Sequence, residues 1–178
     1  MESKVVVIGQ GYVGLPLALA AAEAGYKVIG IDKNEELVAS IRSGRSTLSD
    51  ISDDFLKSQL DRYHITTDFK AAKEADVAIL CLPTPLDEKR DPDHSIVLEG
   101  AHSLAPHLSP NTLVINESTV SPGFTREHLV PLFTGHHVVY SPERTDPANK
   151  IWNIRNTLYS RFYLLDPCVP ENIRRDDQ

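Results

Sequence analysis

The sequence predicts an α/β fold, a doubly wound parallel sheet with helices on both faces. Short aliphatic runs alternate along the chain with segments of helical periodicity, which is the pattern of strands joined by helical crossovers. The first run, residues 5–8, reads Val-Val-Val-Ile with no polar residue, as expected of a strand that is covered on both faces. Right-handed crossovers then place the connecting helices on both sides of the sheet.

The predicted helices carry their own start and stop signals. A helix is expected over residues 15–24, with Pro16 in its first turn and Gly25 able to adopt the left-handed conformation at its end. The short polar side chains of Asn34 and Ser52 are suited to cap two further helices. Asp68 is suited to cap a short helix in the same way.

Further strands are expected at residues 27–32, 64–67, 77–82, 112–116 and 137–140. The clearest run ends at Pro83, because proline cannot donate to a strand ladder. The charged stretch 86–94 is predicted to be a surface loop, and residues 125–133 a helix. One face of another helix is predicted from apolar residues at i, i+4, i+7 and i+11, namely Val97, Ala101, Leu104 and Leu108.

Composition limits the classes of function. The chain has 178 residues, the length of about one domain, and 41% hydrophobic with 24% charged residues is ordinary for a globular protein. With 18 basic against 25 acidic residues, the net charge of −7 argues against nucleic acid and anionic lipid as partners. Cys81 and Cys168 are too isolated to suggest a disulfide framework or a metal site. No secretory signal or apolar stretch of about 20 residues is present, so we expect a cytoplasmic protein.

A glycine motif stands between the first strand and the first helix. It matches the pattern G-x-G-x-x-G and reads Gly9-Gln10-Gly11-Tyr12-Val13-Gly14. Gly9 permits the tight turn, Gly11 lets a pyrophosphate approach the backbone, and Gly14 brings the helix against the strand. Tyr12 and Val13 lie where the helix begins, and its N–H groups attract an anion. The motif in this context predicts a Rossmann-type dinucleotide site. The alternative is that the glycines merely serve a turn.

An acidic residue follows at the expected distance. Asp32 ends the second predicted strand, 18 residues after Gly14. Its carboxylate is suited to accept hydrogen bonds from the adenosine ribose hydroxyls and to repel a 2′-phosphate, which favours NAD over NADP. Lys33 stands next to it and weakens that preference. We therefore expect NAD as the cofactor.

Five motifs occur in a fixed order over residues 4–150. They are Gly9-Gln10-Gly11-Tyr12-Val13-Gly14-Leu15-Pro16, Ser43-Gly44-Arg45-Ser46, Pro83-Thr84-Pro85-Leu86 with Pro92-Asp93, Glu117-Ser118-Thr119-Val120-Ser121-Pro122-Gly123, and Ser141-Pro142-Glu143-Arg144. In these motifs the chain resembles the NAD-binding portion of the UDP-glucose/GDP-mannose dehydrogenase family. The loop after Pro83 and the last motif look most like the branch that oxidises UDP-N-acetylmannosamine or UDP-N-acetylglucosamine.

The resemblance implies a chemistry for particular residues. Enzymes of this family oxidise the sugar C6 alcohol to a carboxylate, with two NAD molecules and a covalent intermediate on a cysteine. Thr84 would then line the cofactor cleft, Thr119 would orient water or a substrate oxygen near the nicotinamide, Glu143 would act as general base, and Arg144 would contact the substrate. Simpler alternatives are that Thr119 caps the following helix and that Glu143 and Arg144 form an exposed ion pair.

The resemblance ends near Thr157. We therefore expect a Rossmann domain over residues 1–157 and an atypical tail over 158–178, without the family's second, substrate-binding domain and its thiol. Cys168 only faintly resembles the family's thiol motif. The chain by itself is expected to bind NAD, to bind a UDP-sugar weakly, and not to complete the oxidation. Two alternatives stay open: a regulatory or assembly partner of a full-length dehydrogenase, and another Rossmann enzyme such as a 3-hydroxyacid-type dehydrogenase or a methyltransferase.

Overall fold

The computed structural model describes residues 3–141 and the backbone of one further strand, Tyr163–Leu164. Glu143 and Arg144, with their predicted roles, and Cys168 lie outside this part of the chain.

In the described part of the chain, seven strands form one sheet in the order β3-β2-β1-β4-β5-β6-β7. They are β1 (Lys4–Ile8), β2 (Lys27–Ile31), β3 (Tyr63–Thr66), β4 (Val77–Leu80), β5 (Leu113–Asn116), β6 (His137–Tyr140) and β7 (Tyr163–Leu164). The first six are parallel, which confirms the predicted doubly wound parallel sheet. The last strand is antiparallel to β6 and had not been predicted from the sequence.

Within residues 3–141, four α-helices connect the strands: α1 (Gly14–Glu23), α2 (Glu35–Arg42), α3 (Asp53–Gln59) and α4 (Ser95–Leu104). The predicted caps are confirmed. The side chain of Asn34 accepts a hydrogen bond from the N–H of Leu37, and that of Ser52 accepts one from Phe55. Asp68 caps the short 3₁₀ helix Phe69–Ala72, and Gly25 has φ of +100° after α1. In the part of the chain that the structure describes, no helix is long and apolar enough to cross a membrane.

Two helices are shorter than the periodicity predicts, and a proline accounts for each difference. A 3₁₀ helix, Ala105–His107, follows α4, because Pro106 has no N–H with which to continue the α-helix. Leu108 therefore follows α4 instead of extending its face, although it still packs against the same core. The segment expected at 125–133 is a π-helix, Thr125–Leu129, and Pro131 lies just beyond it.

The core lies on both faces of the sheet. In β1, Val5 and Val7 belong to the cluster that packs under α1, α2 and α3. Val6 and Ile8 face the other way, into the cluster formed with α4 and the π-helix. This arrangement explains why the first strand has no polar residue: both of its faces are buried.

The order of the strands creates a crevice. From β1 the chain proceeds outward to β2 and β3, and then returns to place β4 on the other side of β1. Open parallel sheets bind ligands at this switch point, beyond the carboxyl ends of the strands. The glycine motif follows β1 directly and lies at that edge.

A candidate dinucleotide-binding site

A cavity of about 530 Å³ opens at the carboxyl ends of β1 and β4. The glycine turn, the end of β2, the loops after β4 and β5, and one side of α4 contribute its walls. Of the residues predicted to bind the cofactor, those that line this cavity are Gly9, Gly11, Tyr12, Val13, Asp32, Thr84 and Thr119. Gly14 is buried behind the turn.

The three glycines of the motif are required for different reasons. Gly9 has φ of +87°, and a Cβ there would overlap the carbonyl oxygen of Cys81. A Cβ at Gly14 would overlap the carbonyl oxygen of Gly9, so the start of α1 packs directly on the turn. A Cβ at Gly11 would meet no atom within 4 Å. Packing of the protein therefore explains Gly9 and Gly14 but not Gly11, whose bare backbone leaves room for a ligand.

The start of α1 is suited to an anion. Val13 occupies the N-cap position, where no described side chain caps the helix, and the first turn contains no acidic residue. Within the first turn the N–H of Leu15 donates to the carbonyl oxygen of Gly11 at 3.1 Å, and Pro16 has no N–H, so the attraction for an anion comes mainly from the helix dipole, which makes this end positive. A diphosphate bound beside Gly11 would lie at this positive end.

The carboxylate of Asp32 lies against the glycine turn. Its Oδ2 accepts a hydrogen bond of 2.8 Å from the N–H of Gln10, and its Oδ1 accepts one of 2.9 Å from the N–H of Asn34. Two backbone donors thus fix the orientation of the carboxylate. Each carboxylate oxygen can accept more than one hydrogen bond, so acceptor capacity remains for a ribose hydroxyl in the cavity.

Sequence reasoning did not identify the residue that supports this turn from behind. The side chain of Gln10 is fully buried, and its Nε2 donates to the carbonyl oxygens of Val7 at 2.8 Å and Gly9 at 3.0 Å. Its Oε1 accepts a hydrogen bond of 2.7 Å from the hydroxyl of Tyr63. The polar residue Gln10 inside the glycine motif could have indicated a buried hydrogen bond. Its partner Tyr63 on β3 could not be identified, because it lies 53 positions away in the sequence.

Tyr63 is itself fully buried. Burial raises the pKa of its hydroxyl, and the negative charge of Asp32 raises it further. The hydroxyl therefore remains protonated and acts as the donor to Gln10. A Cβ on Gly30 would lie 2.7 Å from this hydroxyl and from the Gln10 amide carbon, so the second strand leaves space for the hydrogen bond.

At the other end of the cavity, a serine joins the loops that follow β4 and β5. The hydroxyl of Ser118 accepts a hydrogen bond of 2.9 Å from the N–H of Leu82 and donates one of 3.3 Å to the carbonyl oxygen of Leu80. These bonds hold the segment leading to Thr84 against the segment that carries Thr119. Both threonines line the cavity, Thr84 half-buried and Thr119 exposed.

An asparagine supports the same loop from the core. The Oδ1 of Asn116 accepts a hydrogen bond from the N–H of Ser118, and its Nδ2 donates to the hydroxyl of Thr125 at 3.0 Å. The alternative that Thr119 caps the following helix is wrong, because that helix begins at Thr125 with Phe124 at its N-cap. Within residues 3–141, the structure shows no group of three or more metal-ligating side chains.

A glycine turn at the switch point, a helix start without a side-chain cap and an acid at the end of β2 together define a dinucleotide-binding domain of the Rossmann type. The model of the NAD-binding domain of the UDP-glucose/GDP-mannose dehydrogenase family matches residues 3–158. The chain belongs to this family, and the cofactor of its domain is NAD.

Known relatives agree with this assignment. Protein CapL of Staphylococcus aureus is 33% identical over 160 residues, which cover 85% of this chain and 37% of CapL. The UDP-N-acetyl-D-glucosamine 6-dehydrogenase of Pseudomonas aeruginosa is 36% identical over 160 residues, with 84% and 37% covered. The chain thus spans a little more than a third of the length of these relatives.

Solved structures show the same fold. The UDP-D-ManNAc dehydrogenase from Pyrococcus horikoshii superimposes with a TM-score of 0.75 at 33% identity, over 81% of this chain and 37% of that one. A ternary complex of GDP-mannose dehydrogenase from Pseudomonas aeruginosa gives a TM-score of 0.74 at 26% identity, over 80% and 36%.

Proposed function

We propose that this chain is the NAD-binding portion of a nucleotide-sugar 6-dehydrogenase that oxidises the C6 alcohol of a UDP-sugar to a carboxylate. The observation that carries the proposal is the Asp32 carboxylate, held against the glycine turn in a cavity that continues to Thr119. Relatives named for UDP-N-acetyl-D-glucosamine and UDP-N-acetyl-D-mannosamine favour a UDP-N-acetylhexosamine as the substrate. Such a reaction would supply precursors of surface polysaccharides in the cytoplasm.

Different residues of the cavity are assigned to different parts of NAD. The positive end of α1 and the backbone at Gly11 would hold the pyrophosphate, and the Asp32 carboxylate would accept hydrogen bonds from the adenosine ribose. Thr84 and Thr119, which line the cavity after β4 and β5, would hold the nicotinamide end. NAD bound there would supply the hydride acceptor for oxidation at C6.

The remaining roles concern the sugar. The exposed hydroxyl of Thr119 is placed to orient water or the sugar oxygen beside the nicotinamide. We assign proton removal to Glu143 and substrate contact to Arg144 from their positions in the Ser-Pro-Glu-Arg motif. Both assignments depend on the family resemblance alone.

These 178 residues by themselves are proposed to bind NAD without completing the oxidation. They correspond to about 37% of the length of those relatives. The proposed division is an NAD-binding domain over residues 1–157 and a separate tail over 158–178.

Calorimetric titration of the purified chain with NAD tests the proposal, followed by an assay for NADH formation with UDP-N-acetylglucosamine, UDP-N-acetylmannosamine and UDP-glucose. We expect saturable NAD binding and no NADH. A folded chain that does not bind NAD would overturn the proposed function. Turnover by the chain alone would contradict the claim that it needs more than these residues. Co-purification with a full-length dehydrogenase would instead support a role as its assembly partner.

A further inference from the structure

An ion pair lies at the edge of the cavity near the ribose-binding acid. The Nζ of Lys33 is 3.5 Å from the Oε2 of Glu99, and both side chains line the same cavity as Asp32. Lys33 directly follows Asp32, whereas Glu99 belongs to α4, which covers the other side of the sheet. Three charges therefore meet at the adenosine end of the site, two negative and one positive.

The position of Lys33 raises a question of cofactor choice. A basic residue near the end of β2 is the usual partner for the 2′-phosphate of NADP, whereas an acid at that place selects the free hydroxyls of NAD. Asp32 and Lys33 thus favour different cofactors. The contact between Lys33 and Glu99 directs the ammonium group of Lys33 toward α4.

We propose that Glu99 is a specificity-determining residue that makes the site select NAD over NADP by pairing with Lys33. The inference rests on the proposed function, in which this cavity binds NAD. With Glu99 present, the three side chains carry a net charge of −1. Without its charge they would sum to zero, and Lys33 would be available to a 2′-phosphate, which itself carries up to about two negative charges near neutral pH.

The expected change in NADP affinity is small because the side chains of Lys33 and Glu99 are exposed. The side chains of Lys33 and Glu99 are 71% and 65% exposed, so solvent screens their interaction. Exposed ion pairs are weak, and we expect neutralisation of Glu99 to raise NADP affinity by about threefold to fivefold. NAD has no charge at the 2′ position, so its affinity should change by less than about twofold.

The test measures dissociation constants for NAD and NADP by calorimetry in the full chain. The variants are Glu99→Gln, Lys33→Gln and the double substitution. Glu99→Gln should lower the ratio of the NADP to the NAD constant by about threefold to fivefold. When Lys33→Gln is already present, adding Glu99→Gln should change the logarithm of this ratio by less than half as much. The reason is that Glu99 acts through Lys33. Raising the salt concentration should reduce the difference between wild type and Glu99→Gln.

A matched control exists at the amino-terminal ends of the strands, opposite the end that carries the cavity. Lys4, which is partly buried, and Glu74, which is exposed, form an ion pair of 3.4 Å near the start of β1, away from the cavity. Glu74→Gln changes the net charge of the protein by the same amount and should leave the NADP to NAD ratio unchanged. If it shifted the ratio as much as Glu99→Gln does, overall charge would be the cause and the inference would fail.

The outcomes separate this inference from the proposed function. Binding of NAD with an unchanged ratio in Glu99→Gln would overturn the role of Glu99 alone. An equal shift with and without Lys33 would also overturn it, since Glu99 would then act by direct repulsion. Absence of NAD binding in the folded wild-type chain would overturn the proposed function together with the inference.

Discussion

The side-chain carboxylate of Asp32 accepts a hydrogen bond of 2.8 Å from the main-chain N–H of Gln10. This bond joins the end of β2 to the glycine turn after β1, so the two parts that would contact the adenosine ribose and the pyrophosphate form one unit. Their relative position is set by the protein before a ligand arrives. Preorganisation of this kind lowers the entropic cost of binding.

Replacing Asp32 by Asn removes the charge but keeps one oxygen acceptor. We expect NAD affinity to fall by about tenfold to a hundredfold, because hydrogen bonds to a charged acceptor are lost. Calorimetry provides the measurement. Asp76→Asn is the control, since Asp76 also accepts from a backbone N–H, that of Lys4 at 2.8 Å, but at the amino-terminal end of β1. If both variants lost affinity equally, the effect would be on folding.

The substitutions Gly14→Ala and Gly11→Ala should affect different properties, the first stability and the second NAD affinity. At Gly14 the new Cβ overlaps the carbonyl oxygen of Gly9, so we expect a loss of about 3 kcal/mol in the free energy of unfolding. At Gly11 the space is open, so stability should change by less than about 0.5 kcal/mol. NAD affinity of the Gly11→Ala variant should nevertheless fall by about tenfold, because the methyl group occupies the approach of the pyrophosphate. Denaturant unfolding and NAD titration separate the two effects, and a stable Gly14→Ala would contradict the packing.

Tyr63→Phe deletes the buried hydroxyl that donates to Gln10. Because the amide oxygen loses its partner, we expect about 1–2 kcal/mol of destabilisation. Tyr26→Phe, at an exposed tyrosine, should change stability by less than about 0.5 kcal/mol. Equal effects of the two substitutions would show that the Tyr63 hydroxyl contributes nothing specific.

The same tyrosine predicts a pH dependence. Its pKa is raised in the folded state by burial and by the charge of Asp32, whereas an unfolded tyrosine ionises near pH ~10. Above that pH the folded state binds more protons than the unfolded state, so the free energy of unfolding falls as the pH rises. Below it, both states are protonated and this contribution is fully present. Urea unfolding between about pH 9 and pH 11 should therefore show a steeper decline in wild type than in Tyr63→Phe.

Ser118→Ala removes the hydroxyl that joins the loops after β4 and β5. The N–H of Leu82 would lose its acceptor, so we expect about 1–2 kcal/mol of destabilisation together with weaker NAD binding. Ser58→Ala is the comparison, because the hydroxyl of Ser58 bonds only within α3, at the surface. Unchanged NAD affinity in Ser118→Ala would indicate that the loops keep their positions without this bridge.

The fold was predictable because its signals are local. The four-residue apolar run of β1 and the caps Asn34 and Ser52 each act within a few positions of the chain. The glycine motif likewise places Gly9 and Gly14 without reference to distant residues. Asp32 could be assigned because its distance from the motif follows from the length of one helix and one strand.

The supporting contacts could not be predicted, because they join residues that only the sheet order brings together. Tyr63 reaches Gln10 across 53 positions, and Lys33 reaches Glu99 across 66. The π-helix at Thr125–Leu129 was also missed, since helical periodicity alone does not distinguish it from an α-helix. The sequence therefore showed that Lys33 stands beside Asp32, but not that it contacts Glu99.

The two walls of the cavity are held by contacts of different strength. Buried hydrogen bonds of Gln10 secure the glycine turn, whereas the contact from α4 near Asp32 is a solvent-exposed ion pair of 3.5 Å. At its edge near Asp32 the cavity is therefore bordered on one side by buried hydrogen bonds and on the other by a contact that solvent and salt can screen.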